Sequence, residues 1–240
     1  MKNNIFLNSC IALLLSACTI QQNIVVKFSP SENEKTISDK LRTFLKTNPN
    51  PSIVLRVPGG ASNTTATQLD ANNQIYNTIE KSLLRNGFIV RDRALFNEVL
   101  IKSLESDYSK IYETTKTDLI LELVSLDINV KYNTNKYLNK YGEEKIFGCN
   151  TEYTYGGASI EFRLILIEDN EFVGSIKINY SPCIEGCDHI YVEDRLFGYC
   201  TLYDEKKKQI NPQAYESVEF SQLEKFITTS IDQFIYELRK

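Results

Sequence analysis

One histidine, His189, serves all 240 residues. A histidine pair at metal-binding spacing is therefore absent, and with it the signature of the zinc hydrolases. No serine sits in a Gly-x-Ser-x-Gly turn, which removes the nucleophile elbow of the α/β-hydrolases. The loop Pro58-Gly59-Gly60-Ala61-Ser62-Asn63-Thr64-Thr65 has two glycines but no Gly-Lys-Ser/Thr finish, so it is not a nucleotide-binding loop. Basic runs are missing as well. Lys and Arg number 27 against 31 Asp and Glu, a net charge of -4, which argues against nucleic acid as a partner. No run of 18 apolar residues occurs, so no transmembrane helix is expected.

What is present begins with a leader. Lys2 carries positive charge, Ile11-Ala12-Leu13-Leu14-Leu15 is apolar, and small residues lead to a cysteine in Leu15-Ser16-Ala17-Cys18. This is the order of parts in a secretory signal peptide. A cysteine at the end of it resembles the lipobox of bacterial lipoproteins. The resemblance implies diacylglycerol on the Cys18 sulfur, cleavage after Ala17, acylation of the new amino terminus and attachment to the membrane through that lipid. Residues 1–17 are then a signal peptide and 18–23 a lipidated polar tether, in which the five residues Thr19–Asn23 reach at most about 18 Å when extended. Thr19 after Cys18, rather than an acidic residue, resembles outer-membrane sorting. Residues 24–240 are expected to form one α/β domain carrying an irregular cysteine-containing segment at 181–215.

Four cysteines follow Cys18: Cys149, Cys183, Cys187 and Cys200. An even number in an exported chain points to one or two disulfides, and three pairings are open. Cys183 and Cys187 could close a small loop over Ile184-Glu185-Gly186. A four-cysteine zinc site is the rival, disfavoured by the three-residue spacing and by the oxidising compartment. No metal and no cofactor is expected.

The chain reads as strands alternating with amphipathic helices. Ile24 to Phe28 is a strand candidate. Ser31 and Glu34 have capping-box spacing before a helix with Ile37, Leu41, Phe44 and Leu45 on one face. Ile53 to Val57 is a short apolar strand. Residues 70–86 form a helix with Ile75, Ile79 and Leu83 at intervals of four, widened by Tyr76 and Leu84, and Gly87 sits at its C-cap. Phe88-Ile89-Val90 is a strand, and Asp92 caps a helix carrying Leu95, Phe96, Val99, Leu100 and Leu104. Leu119 to Val130 alternates as a half-buried strand with Glu122 facing solvent. Ala158–Leu166 and Phe172–Tyr180 form a hairpin around Asp169-Asn170. Ser221 and Glu224 repeat the capping-box spacing before a terminal helix with Leu223, Ile227, Ile231, Phe234 and Leu238. The fold class is α/β (α+β), with a mixed or largely antiparallel sheet, helices packed on it and a C-terminal helix.

Two stretches are candidates for function. Residues 131–155 concentrate Tyr132, Tyr137, Tyr141, Tyr153 and Tyr155 among polar residues, the composition of an exposed loop that contacts a partner. His189 stands two residues after Cys187, a spacing that places both on one side of an extended chain and permits a nucleophilic dyad or a metal pair. A disulfide at Cys187 would remove that chemistry. The carboxylates of Glu143-Glu144 and Asp92 are not placed across any pocket by the sequence, so no catalytic residue is assigned.

The stretch from Asn86-Gly87-Phe88-Ile89-Val90 through Arg91-Asp92-Arg93 to Val99-Leu100 resembles a segment of the curli-secretion lipoproteins and of the related lipoprotein activators of penicillin-binding proteins. In that family a helix, a glycine and a short strand lead to an Asp-Arg pair that starts the next helix. Gly87, Asp92 and Arg93 match this pattern. Thr117-Asp118-Leu119-Ile120 resembles the family's later Asp-led strand, and Ala158 to Tyr180 its last hairpin. The resemblance implies a non-enzymatic, periplasm-facing outer-membrane lipoprotein that binds another envelope protein. A subunit of an oligomeric export channel, a homo-oligomer, is the alternative within the family. An envelope hydrolase or glycan-binding lipoprotein is the alternative outside it.

Overall fold

A computed structural model describes residues 19–56, 66–102, 108–148, 152–194, 199–204, 209–210, 218 and 220–240. In chain order its elements are β1 (Thr19–Val26), β2 (Glu34–Ile37), α1 (Asp39–Thr47), β3 (Ser52–Arg56), α2 (Ala66–Arg85), β4 (Ile89–Val90), α3 (Arg93–Lys102), α4 (Tyr108–Thr115) and β5 (Leu119–Thr134). There follow β6 (Lys136–Leu138), β7 (Glu144–Ile146), β8 (Tyr153–Leu166), β9 (Glu171–Tyr180), β10 (Cys187–Asp194), β11 (Tyr199–Asp204), β12 (Gln209–Ile210) and α5 (Phe220–Arg239). This is the expected mixed α/β fold with helices on a sheet and a C-terminal helix. It gathers in two compact units where one domain over 24–240 was expected: residues 30–130, 157–180 and 217–240 form one, and 1–29, 131–156 and 181–216 the other.

The first unit is built on a mixed sheet in the order β2-β9-β8-β5-β3-β4. β3 runs parallel to both β4 and β5, while β8 and β9 form an antiparallel hairpin and β2 adds antiparallel to β9. Side chains alternate across β3, so its two faces enter different cores. Ile53 and Leu55 pack with α1, α2 and α5 through Leu41, Ile79, Leu83, Ile231 and Phe234. Val54 joins Phe96 of α3, Ile111 of α4 and Ile120 of β5 on the other face. Each buried side chain of leucine or phenylalanine size contributes roughly 1.5–3 kcal/mol, so the stripe along α5 is a principal reason the unit closes.

Several boundaries differ from those expected. The first helix starts at Asp39 and is capped by Ser38, whose Oγ accepts the Leu41 N–H at 3.2 Å. Glu34–Ile37, expected inside that helix after a Ser31 cap, is instead β2. An edge strand needs only one neighbour, and β9 supplies it. Ser221 lies within α5, which is already helical at Phe220. α4 is an additional helix that the sequence pattern does not announce. Leu84 and Leu95 do not widen the buried stripes; both are exposed. Glu122 does not face solvent. It is buried, with its carboxylate 3.1 Å from Arg56 and 3.8 Å from Arg163, two partners from neighbouring strands that make burial of the charge tolerable.

The second unit holds an antiparallel sheet in the order β12-β11-β10-β1-β6-β7. β1 pairs with β10 from Thr19↔Asp194 to Val26↔Cys187. Residues Thr19–Asn23 are therefore strand and not tether. Thr19, Gln21, Gln22 and Asn23 are exposed, while the main chain is engaged by β10. In its described residues the segment 181–215 is likewise mostly strand rather than irregular. It contributes β10, β11 and β12, and its alternation is carried by His189, Tyr191, Cys200 and Leu202, all buried.

Candidate functional site

The Gly87–Arg93 stretch carries the chain from the end of α2 through β4 to the start of α3. α2 ends in a Schellman arrangement, in which the Phe88 N–H donates to Leu83 O at 3.2 Å and the Gly87 N–H to Leu84 O at 3.1 Å. Gly87 has φ +84°, the left-handed region that glycine enters without steric cost. Phe88 and Leu83 are buried in the same core, which aims the chain into β4. Asp92 then accepts the Leu95 N–H on Oδ1 at 2.8 Å and so starts α3, as the sequence predicts.

A groove of about 470 Å³ lies beside this turn. α2 lines it with Glu80 and Leu84, β4 with Val90, and Arg91 to Ala94 close it. The Arg93 guanidinium stands 4.7 Å over the Tyr76 ring, and its Nε is 3.9 Å from Glu80 Oε1. Burial pushes the Glu80 carboxyl above the usual carboxylate range, an effect that Arg93 opposes and Asp92 reinforces. Burial also raises the Tyr76 phenol, again opposed by Arg93. Arg91 donates from Nη2 to Lys116 O at 3.2 Å. Arg91 Nε and Arg93 Nη1 are buried and have no hydrogen-bond acceptor among the described residues.

No protein-family model matches this chain, and no curated protein matches it. The chemistry of the groove thus stands on its own geometry: two guanidinium groups, one carboxylate engaged at a helix start, one carboxylate inclined to take up a proton, and an apolar rim. Among the described residues no group of three or more His, Cys, Asp or Glu side chains is placed to hold a metal ion.

The tyrosine-rich stretch is not the open loop that composition suggests. Tyr132, Tyr137 and Tyr153 are buried. Tyr137 packs on Phe147 at 4.8 Å and on Tyr191 at 5.8 Å, and Phe147 meets Tyr153 edge-on at 4.4 Å. Aromatic rings are large enough to fill a small unit's core, and these do so. The half-buried Tyr155 turns its hydroxyl to His189 Nε2 at 2.7 Å and its ring to Phe28. Tyr141 alone of the five is exposed, at the tip of the β6–β7 hairpin with Lys140 over its ring.

Cys183 and Cys187 are joined in a disulfide, one of the three pairings the sequence leaves open. Cys187 is thereby lost as a thiolate, and the Cys187–His189 dyad with it. Cys200 is also disulfide-bonded. Cys18 and Cys149 lie outside the described residues. Glu143 and Glu144 are exposed and pair with Lys145 and Lys136 beside the hairpin tip.

Sequence reasoning found Gly87, Asp92 and Arg93 but missed Tyr76, Glu80, Leu84 and Arg91 as their neighbours. A signal existed for three of them. Tyr76, Glu80 and Leu84 are spaced by four on α2, one stripe away from the buried Ile75-Ile79-Leu83 line.

Proposed function

We propose that this chain is a lipoprotein of the bacterial outer membrane, facing the periplasm, that binds another cell-envelope protein and catalyses no reaction. The observation that carries the reading is the junction of Leu15-Ser16-Ala17-Cys18 with β1, which begins at the next residue, Thr19. Acyl chains on Cys18 would anchor the domain without an intervening tether, since each buried methylene contributes about 0.8 kcal/mol to membrane attachment. A disulfide between Cys183 and Cys187 suits an oxidising compartment outside the cytoplasm. The groove beside Asp92 and Arg93 offers a protein partner polar and apolar contacts together.

Two measurements on a bacterial host expressing the full chain test this. Metabolic labelling with an alkyne analogue of palmitate should mark the chain and should fail for Cys18→Ala. Crosslinking in intact envelopes should then recover one reproducible protein partner. Unlabelled native chain, or a recovery no different from a lipid-anchored control protein, would refute the reading.

A further inference from the structure

We propose that the groove along β4 binds an extended segment of a partner protein, holding its main chain against Val90 and a carboxylate of that segment against Arg91 and Arg93. This deepens the adaptor reading above and rests on it for the cellular context.

The main-chain part follows from the sheet. β4 is the last strand on its side among the described residues. Ile89 donates its N–H to Pro51 O at 3.0 Å, and Arg91 donates its own to Ile53 O at 2.8 Å. Alternation along a strand then turns the N–H and C=O of Val90 away from β3, toward the open side. Val90 also lines the groove, so this edge, unpaired among the described residues, borders the cavity. An extended chain laid there gains the hydrogen bonds that a further strand would make.

The charge part follows from the side chains. Arg91 and Arg93 bring two positive charges to the groove, and each retains a buried N–H with no acceptor among the described residues. Such a donor is costly until something accepts from it. The two acids already present accept from neither of these N–H groups. Asp92 Oδ1 is engaged by the Leu95 N–H, and Glu80 approaches Arg93 only at Nε, 3.9 Å away. A carboxylate from outside matches the planar guanidinium fork, whereas an amide or an ammonium group does not. Leu84 is 55% exposed on the rim, where an apolar side chain of the incoming segment can cover it. Alternation in that segment would send neighbouring side chains to opposite faces, one toward the arginines and the next away.

The test uses the full chain purified in detergent and three fluorescent octapeptides of alternating valine and threonine. They carry a central glutamate, glutamine or lysine. Fluorescence anisotropy should give saturable binding for the glutamate peptide and about tenfold or more weaker binding for the other two, the fold-change expected when a charge-assisted hydrogen bond is lost. Arg93→Gln and Arg91→Gln should each bring the glutamate peptide down toward the glutamine peptide, while leaving the glutamine peptide nearly unchanged. Amide chemical-shift changes on binding should centre on Val90 and Ala94, a readout that does not depend on the variants folding well. Equal affinity for all three peptides, no saturable binding, or shifts centred elsewhere would overturn the proposal. Palmitate labelling of Cys18 separates the two ideas. Labelled chain with no peptide binding removes the groove alone, and unlabelled chain that still binds the glutamate peptide removes the anchoring alone.

Discussion

Ser52 and Asp118 hold one another at the point where β3 and β5 begin. The Ser52 N–H donates to Asp118 Oδ2 at 2.7 Å, and the Asp118 N–H returns a bond to Ser52 Oγ at 2.9 Å. The Ser52 hydroxyl also lies 2.8 Å from Lys116 O, the carbonyl that receives Arg91 Nη2 from the groove. Two strands far apart in sequence are thus brought into register by one residue pair, and Ile53↔Leu119 follows directly.

Asp118→Ala should therefore destabilise the first unit. Ser52 is 3% exposed, and its N–H loses a charged acceptor that water cannot easily replace. The expected cost is about 1–3 kcal/mol. Urea unfolding followed by circular dichroism measures it. Asp118→Asn keeps one carbonyl acceptor and should fall between the wild type and alanine. A midpoint unchanged in both variants would show the pair to be dispensable.

Gly87 gives a second test. Its φ of +84° strains any residue with a Cβ, and a Cβ there would come within 3.3 Å of the Asn50 side-chain amide. Gly87→Ala should cost about 1–2 kcal/mol, the penalty of the left-handed region for an L-residue. Gly87→Asn should cost less, because asparagine tolerates that region better. The same urea midpoints decide it, and alanine matching glycine would refute the assignment.

The elements that could be read from sequence are those whose pattern and burial coincide. Ile75-Ile79-Leu83 on α2 and the alternation of Ala158–Leu166 with Ile176 and Ile178 face the core they were expected to face, whereas Phe172 is exposed and Val173 is buried in its stead, beyond a register shift at Leu164/Ile165. Asp92 was legible because a cap acts within three residues. What failed depended on partners distant in sequence. Thr19–Asn23 looks like a tether until β10 supplies hydrogen bonds to its main chain. Glu122 looks solvent-facing until Arg56 and Arg163 meet it. Tyr137 and Tyr153 look like a surface because tyrosine suits both surface and core, and Phe147 and Tyr191 decide for the core. The groove beside Arg93 was half visible: its Asp-Arg start is local, while Arg91 and Glu80 enter it only through packing.

Tyr153 provides the pH test. It is 1% exposed, its hydroxyl has no hydrogen-bond partner, and burial with the nearby Tyr191 pushes its pKa up to about 12. In the unfolded chain the phenol returns to about 10. Between these values the unfolded state has lost a proton that the folded state still holds, so stability falls as pH rises from about 10 to about 12. Below that window both states are protonated and Tyr153 contributes no slope. Tyr153→Phe should remove this share of the alkaline loss, which shows as a difference between the two chains' urea midpoints that grows across pH 10 to 12. At neutral pH the same substitution deletes a buried, unpaired hydroxyl and leaves the ring, so it should be neutral or stabilising by up to about 1 kcal/mol. Parallel midpoint curves for the two chains across the alkaline range, or a clear loss of stability at pH 7, would contradict the burial assigned to this ring.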